Sequence, residues 1–389
     1  MAANIFPVPP SLLGGMSVDQ FLAEYWQKKP LLIRQAIPGF SGLLSHQDLF
    51  ALACREEVES RYIRLPASGL QGKWTLHHGP QLRRRLRAGQ SQPWTVLVQG
   101  LNLWLPAAER LLQQFSFIPQ ARLDDLMVSY AVDGGGVGPH FDNYDVFLLQ
   151  GSGQRRWRIG AQQDRRLVPD IPLRILANFS AEEEWLLGPG DMLYLPPHWA
   201  HDGVACGECT TYSIGFRAPT AQELGSAFLD WLQDRLQLTG RYADPTLQRQ
   251  DNSAAISPQM VDQIAAMLEQ IRWQRSDIER FVGSTLSEPK AHVFFEPPAN
   301  PLAEDTFVRQ LAEHGFALDA RSILLFDDEH FYLNGELLTP ADEIRPLLLQ
   351  LADQRQLAAA AFISCPAAAC SLLYQWYVDG FGRLCTAPS

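Results

Sequence analysis

The sequence lacks the long hydrophobic runs that mark membrane proteins. Its 389 residues include no stretch of roughly eighteen or more consecutive apolar residues, so we expect no transmembrane helix and no membrane contact. Residues 1–7 also lack the basic region and apolar core of a signal peptide. Cysteine is scarce, since six residues over this length are too few for a disulfide scaffold. These absences predict a reduced, cytoplasmic protein.

Positive charge is also in deficit. The chain has 32 Lys and Arg against 43 Asp and Glu, which gives a formal net charge of -11. A general nucleic-acid binder is normally basic, so we expect no stable nucleic-acid binding. The acidity favours a basic protein partner, although plain solubility explains it equally well. The basic run Leu82–Arg87 is a local exception, and it either touches RNA or forms a solvated face.

Two glycine-led motifs supply side chains that can bind a metal ion. Gly134–Asp142 ends in a His-x-Asp pair, and Gly190–His201 ends in a lone histidine after a Pro-Pro break. Residues i and i+2 of a strand point the same way, so His140 and Asp142 can reach one ion. With His201 they form what we call the metal triad. Two imidazoles and a carboxylate with open positions are typical of non-haem Fe(II) oxygenases, whereas a His-x-Asp pair alone also occurs in surface turns.

An arginine follows on the apolar face of the next predicted strand. Alternation over Gln154–Ile159 places Arg155 on the same face as Trp157. A buried guanidinium needs a carboxylate partner. That partner is either a dicarboxylate co-substrate, held by two parallel hydrogen bonds, or a nearby aspartate of the chain. The strand pattern leaves both interpretations open.

Taken in order, these motifs resemble the bacterial JmjC-type ribosomal oxygenases of the cupin superfamily. The matching segments are Phe21–Pro30, His140–Phe147, Gln150–Arg158, Gly190–Pro197, His201 and Tyr212–Pro219. The resemblance implies a 2-oxoglutarate- and Fe(II)-dependent dioxygenase that hydroxylates an arginine side chain of large-subunit ribosomal protein L-sixteen, a protein arginine 3-hydroxylase. The alternatives are a JmjC-type demethylase or hydroxylase of another basic protein, a non-catalytic metal-binding cupin, and a winged-helix transcription regulator.

The resemblance also implies roles for single residues. The metal triad falls on the iron ligands, Arg155 on the 2-oxoglutarate-binding arginine and Ser129 on a serine that binds the same co-substrate. O2 is the second co-substrate. His198 is a rival for the third ligand, but it lies inside the Pro-Pro turn while His201 begins the next strand. We therefore assign His201.

Further candidates come from position alone. Thr211 and Ser213 share a face of the last barrel strand and are candidates to hydrogen-bond the co-substrate. Asp133 precedes the glycine run, where it either meets the substrate or forms a turn. Asn143 and Tyr144 follow the His-x-Asp pair and are candidates for the entrance. Outside this set, Cys206-Gly207-Glu208-Cys209 is a lone Cys-x-x-Cys with no second pair of matching spacing.

Three regions follow from these patterns. Residues 1–218 are expected to form a mainly β catalytic domain, a double-stranded β-helix of the JmjC/cupin type. Residues 219–286 have helical periodicity, including a helix over Pro258–Phe281. The resemblance implies that they form a homodimer, and the alternative is that they pack onto the barrel of the same chain. Residues 287–389 are expected to form an α+β domain like a winged helix, with Asn334-Gly335 as a tight hairpin turn.

Overall fold

The computed structural model describes residues 8–66, 72–87 and 92–385. The interpretation of residues 1–7 as lacking a signal peptide therefore lies outside the described residues. The chain divides into two compact units, and the second consists of Pro219–Pro289 and Ile323–Ala341. None of the helices in the described part combines the length and the apolar character needed to cross a bilayer.

The secondary structure of the described residues is as follows. The strands are β1 (Leu31–Ile33), β2 (Ser60–Arg64), β3 (Thr75–His78), β4 (Trp94–Val98), β5 (Leu123–Ala131), β6 (Val146–Gln150), β7 (Gln154–Gly160), β8 (Glu183–Leu187), β9 (Met192–Leu195), β10 (Ala200–Cys206), β11 (Cys209–Phe216), β12 (Phe316–Leu318), β13 (Leu324–Phe326), β14 (Phe331–Leu333), β15 (Glu336–Leu338), β16 (Gln356–Leu357) and β17 (Gly382–Leu384). The α-helices are α1 (Val18–Glu24), α2 (His46–Ala53), α3 (Pro106–Gln113), α4 (Ala221–Gln233), α5 (Pro258–Leu268), α6 (Arg275–Ser287), α7 (Glu304–His314), α8 (Arg345–Gln354) and α9 (Ala367–Val378). Short 3-10 helices cover Pro10–Leu13, Arg83–Arg85, Leu101–Leu103, Gln120–Arg122 and Ala359–Phe362.

Two antiparallel sheets enclose a core in the first unit. The large sheet has the order β1-β9-β6-β11-β5-β4-β2-β3, and the small one has the order β10-β7-β8. Val146 and Leu148 of β6 share a buried cluster with Trp157 and Ile159 of β7, so the core joins the two sheets. This arrangement confirms the predicted double-stranded β-helix. It also confirms the alternation of β7, because Arg155 is buried on the same face as Trp157.

An aromatic cluster covers the outer face of the large sheet. Phe21 of α1 is fully buried, and its ring centroid lies 5.6 Å from that of Phe147 and 5.1 Å from that of Tyr194. Ser17 caps this helix by accepting a hydrogen bond from the Gln20 N–H at 3.1 Å. The cluster therefore fixes α1 against strands β6 and β9.

The C-terminal part of the first unit contains α7–α9 and the small sheet β16-β12-β17. Arg355 connects this part to α3, since its Nε donates to Glu109 Oε1 at 2.9 Å. Its two terminal nitrogens donate to the carbonyl oxygens of Ser322 and Asp319, each at 2.9 Å. One nearly buried guanidinium thus joins three separate segments.

The second unit contains α4–α6 and the sheet β13-β14-β15. The prediction of one helix over Pro258–Phe281 is wrong, because α5 ends at Leu268 and α6 begins at Arg275. Gln274 is the N-cap residue of α6, and its N–H donates to the carboxylate of Asp277 at 2.8 Å. The hairpin is confirmed: Asn334 and Gly335 have φ values of 52° and 92°, as a tight turn of this type requires.

We predict that Phe21→Ala destabilises the first unit by about 3–5 kcal/mol, because it opens a cavity in a fully buried aromatic cluster. Chemical unfolding followed by tryptophan fluorescence measures the change. Phe294→Ala is the control, since this phenyl ring is 74% exposed and its loss should change the stability by less than about 0.5 kcal/mol. Equal effects of the two substitutions would refute the packing argument.

Candidate metal centre and co-substrate pocket

Backbone pairing holds the two triad histidines side by side. The His140 N–H donates to the His201 carbonyl at 2.9 Å, and the His201 N–H donates to the His140 carbonyl at 2.7 Å. This isolated antiparallel bridge brings the ring centroids to 4.2 Å. The Nδ1 of His140 lies 2.9 Å from the Gly138 carbonyl, and the Nδ1 of His201 lies 2.9 Å from the Trp199 carbonyl. Each carbonyl therefore fixes a ring and leaves its Nε2 free for a metal ion.

Asp142 completes the triad. Its Oδ1 lies 4.0 Å from His140 Nε2, and its Oδ2 lies 3.7 Å from His201 Nε2. The three ligand atoms all lie within 4.8 Å of one another. His140 and Asp142 were predicted to lie on one strand, but the structure differs. Only His140 forms a β-bridge, and Asp142 lies in the loop that follows it. The Asp142 carbonyl accepts a hydrogen bond from the His198 N–H at 2.9 Å, which ties that loop to the Pro-Pro turn.

The environments of His201 and His198 differ. His201 is 2% exposed, and burial together with the nearby His140 lowers its pKa to about 4. A neutral imidazole is the form that binds a metal ion. His198 is exposed and has a φ of 68°, so it occupies a turn position outside the triad.

Arg155 lies in the same cavity without a carboxylate partner among the described residues. It is 3% exposed, and its Nη1 donates to the Gly203 carbonyl at 3.3 Å. Its Nε and Nη2 are buried and have no hydrogen-bond partner in the described chain. A buried charge whose hydrogen-bond donors have no partner lowers the stability of the folded protein. The interpretation of a nearby aspartate partner is therefore wrong, and the free donors are those that a carboxylate would accept.

The three candidate hydroxyl residues also line the cavity, which has a volume of about 590 Å³. Ser129 Oγ donates to the Thr211 carbonyl at 3.4 Å, and Thr211 Oγ1 donates to Gln150 Oε1 at 3.2 Å. Ser213 is 8% exposed and lies on β11 with Thr211. The structure thus brings these hydroxyl side chains of the large sheet to the same cavity as Arg155 of the small sheet.

The structure places two of the three candidates for the entrance in the cavity lining and the third outside it. Asn143 and Tyr144 line the cavity with the metal triad. Asp133 instead has its carboxylate bonded to the Gly207 N–H at 2.7 Å, in the turn between β10 and β11. The structure therefore gives Asp133 the turn-forming role. Cys206 and Cys209, on either side of this turn, are free thiols, one exposed and one buried.

Two acidic residues of the cavity were missed by sequence reasoning. Asp124 and Asp125, near the start of β5, both line the cavity. Asp125 is 5% exposed and accepts a hydrogen bond from the Gly100 N–H at 2.9 Å. The alternation of side chains along β5 could have identified Asp125, because Asp125, Met127 and Ser129 occupy alternate positions and therefore share one face of the strand.

The residues present fit a divalent metal ion and a dicarboxylate. Two imidazoles and one carboxylate converge from one side, and this donor set leaves coordination positions open. The buried, unsatisfied guanidinium of Arg155 lies in the same cavity, together with the hydroxyl groups of β5 and β11. A 2-oxo acid with a second carboxylate could chelate a metal ion held by the triad and could also accept hydrogen bonds from the free donors of Arg155.

We predict that the metal-free protein loses stability as the pH falls from about 6.5 to about 4. The unfolded chain takes up a proton on His201 near its ordinary pKa of 6.5, while the folded chain resists until about 4, so acid favours unfolding. The loss attributable to His201 is on the order of 3 kcal/mol at the lower end. Urea unfolding with a chelator present should show a shallower pH dependence for His201→Gln than for the exposed-site control His198→Asn. Identical slopes would contradict this account.

Family models match both parts of the chain. A JmjC domain matches residues 110–224, and a ROXA-like winged helix matches residues 270–382. An AraC-like ligand binding domain also matches residues 179–275. The first two matches agree with the predicted barrel and winged helix.

Known relatives extend the likeness to nearly the whole chain. The chain is 35% identical to the ribosomal protein uL16 3-hydroxylase of Escherichia coli, over 88% of this chain and 90% of the relative. It is 40% identical to a probable ribosomal oxygenase of Haemophilus influenzae, over 52% of this chain and 50% of the relative. Escherichia coli YcfD has a similar structure, with a TM-score of 0.82 and 32% identity over 95% of this chain and 98% of that one. A structure of YcfD with cobalt and 2-oxoglutarate also matches, with a TM-score of 0.79 and 31% identity over the same shares. The chain belongs to the family of JmjC-type ribosomal oxygenases.

Proposed function

We propose that this protein is an Fe(II)- and 2-oxoglutarate-dependent dioxygenase that hydroxylates an arginine side chain of ribosomal protein uL16, the protein called L-sixteen above. The observation that carries the proposal is the buried Arg155, which lies in the same cavity as the metal triad. Its Nε and Nη2 have no hydrogen-bond partner in the described chain. The uL16 3-hydroxylase activity of the Escherichia coli relative supports the substrate. Cytoplasmic location follows as part of the proposal, because the substrate is a ribosomal protein.

Each part of the pocket has a role in this reaction. His140, Asp142 and His201 would hold Fe(II), and Arg155 would bind the distal carboxylate of 2-oxoglutarate with help from the hydroxyl groups of β5 and β11. When bound, Fe(II) would supply the oxidising chemistry, in which 2-oxoglutarate and O2 give succinate and CO2 and one oxygen atom of O2 enters a C–H bond of the substrate. The chain's own part is to orient these groups, exclude water and aim the substrate side chain.

Asp125 is the proposed partner of the substrate guanidinium. Burial raises the pKa of its carboxyl, while Lys290, 4.0 Å away, lowers it. An arginine side chain stays charged and would compensate the buried carboxylate. Tyr144 is 41% exposed and lines the same cavity, so its ring can cover the apolar part of the side chain.

The helices of the second unit support the proposal of a homodimer. In α5 no residue is buried, and Val261, Ile264 and Leu268 are 54%, 43% and 57% exposed. These residues follow one face of the helix at spacings of three and four. A second copy of the chain would cover this apolar face. We also retain the division into a catalytic domain (1–218), a helical dimerisation region (219–286) and a winged-helix-like domain (287–389) as a proposal.

We predict that Ile264→Glu converts the dimer to a monomer in light scattering after size exclusion, because it places a charge in an apolar interface. Ala266→Glu, on the opposite face of α5, adds the same charge and should leave the dimer intact. A wild-type protein with the mass of one chain would refute the proposal. So would a dimer that survives Ile264→Glu.

The reaction and its substrate are tested by mass spectrometry of a uL16 peptide incubated with enzyme, Fe(II), 2-oxoglutarate and O2. The wild type should add one oxygen atom to an arginine, and His140→Ala should add none. Consumption of 2-oxoglutarate without a mass change would support the oxygenase activity but refute uL16 as its substrate. No consumption and no mass change would favour a non-catalytic cupin.

We predict that Asp125→Asn lowers kcat/KM for this peptide by about thirtyfold or more, because it removes one partner of a buried charge pair. The KM for 2-oxoglutarate should stay near the wild-type value. Asp133→Asn is the matched control, since it makes the same change outside the cavity lining. A larger effect at Asp133 than at Asp125 would contradict the assignment.

A further inference from the structure

One stretch of the first unit is rich in basic residues and contains no acidic residue. Between Glu59 and Glu109 the sequence has six arginines and one lysine, but no aspartate or glutamate. The net charge of the whole chain is -11, so this stretch is an exception. We call it the basic edge, and its members are Arg61, Arg64, Lys73, Arg83, Arg84, Arg85 and Arg87. The proposed reaction uses none of them.

The basic edge lies at the border of the large sheet and reaches the cavity. Strand β3 ends that sheet in the described chain, and β2 is its neighbour. Arg61 of β2 lies opposite His78 of β3, and both line the cavity. Two more arginines, Arg165 and Arg174, line it as well. The lining of the cavity therefore includes three arginines besides Arg155.

The remaining members continue the charge around the edge. Burial and the nearby charges of Arg85 and Arg64 lower the pKa of His77, the residue before His78 on β3. Arg83 and Arg84 are exposed in the short helix after that strand. The positive charge thus runs from the cavity around β3 to an exposed surface.

The arginines at the edge differ from other arginines of the first unit. Arg34 pairs with Asp191 at 2.6 Å, and Arg355 pairs with Glu109 at 2.9 Å. By contrast, among the described residues no carboxylate lies within 4.0 Å of the side chains of Arg61, Arg64, Arg83 or Arg84. These four arginines of the basic edge are therefore available to an anionic partner.

A basic substrate does not explain this surface. Positive charge beside the cavity repels a basic ribosomal protein. An anionic molecule bound to that ribosomal protein would remove the repulsion between it and these arginines. Guanidinium groups suit phosphate, because they can donate two parallel hydrogen bonds to it.

We propose that the basic edge contacts the phosphate backbone of RNA that accompanies the substrate. The proposal rests on the proposed function, in that the substrate is taken to be a ribosomal protein. The contact is local and sensitive to salt, which agrees with the expectation that the chain as a whole does not bind nucleic acid stably.

The composition of the edge favours RNA over an acidic protein. Leu82, at 43%, is the one large apolar side chain that is exposed in the described residues of this stretch. The core of a protein–protein interface is depleted in charge and rich in aromatic side chains. Nucleic-acid interfaces are polar and strongly positive, as this edge is.

Fluorescence anisotropy with a labelled ribosomal RNA hairpin tests the proposal on the full chain. The variant is Arg83→Gln with Arg84→Gln, and the control is Arg241→Gln with Arg249→Gln, which removes two exposed arginines of the second unit. The wild type and the control should bind the RNA, and the variant should bind at least tenfold more weakly. The slope of log affinity against log salt should fall by about 2 in the variant.

Three outcomes would overturn the proposal: no binding of the hairpin by the wild type, equal binding by the variant, or competition by polyglutamate as strong as that by RNA. The last would indicate an acidic protein partner. Oxygen addition to the free uL16 peptide is measured in parallel and should be unchanged in the variant. Failure of the proposed function would appear there, independently of RNA binding.

Discussion

Two backbone hydrogen bonds between His140 and His201 are the constraint on which the site depends. They join the loop after β5 to the start of strand β10, so that two distant motifs become neighbours. The imidazole rings then lie side by side, and Asp142 needs only the next two residues of chain to reach them. Because the bridge uses backbone atoms, side-chain substitutions at the triad can remove the ligands without removing the arrangement.

The same architecture holds one buried charge unsatisfied. Arg155 projects from β7 into the space between the sheets, and its one protein hydrogen bond goes to the Gly203 carbonyl on β10. Folding thus places a cation where water is largely excluded. This cost is offset when an anion enters, so the energy of co-substrate binding is linked to the stability of the barrel. Under the proposed function, the metal triad would hold one end of that anion and Arg155 would hold the other.

Local patterns predicted much of this structure. The alternation of β7 identified the buried Arg155, and the Pro-Pro break separated His198 from His201. What failed depended on distant contacts. Asp133 was a reasonable acid for the entrance, yet its carboxylate bonds to the Gly207 N–H, which is far away in sequence. The break between α5 and α6 was missed because apolar periodicity continued through it, whereas the capping by Asp277 decided where the second helix begins.

The most direct test of the account compares two 2-oxo acids on the Co(II)-loaded protein by isothermal titration calorimetry. 2-Oxoglutarate has a second carboxylate, and pyruvate lacks it. We predict that the wild type binds 2-oxoglutarate far more tightly, by about thirtyfold or more, and that Arg155→Gln abolishes most of this preference. If Arg155→Gln keeps the full preference, another group binds the distal carboxylate and Arg155 is not its partner.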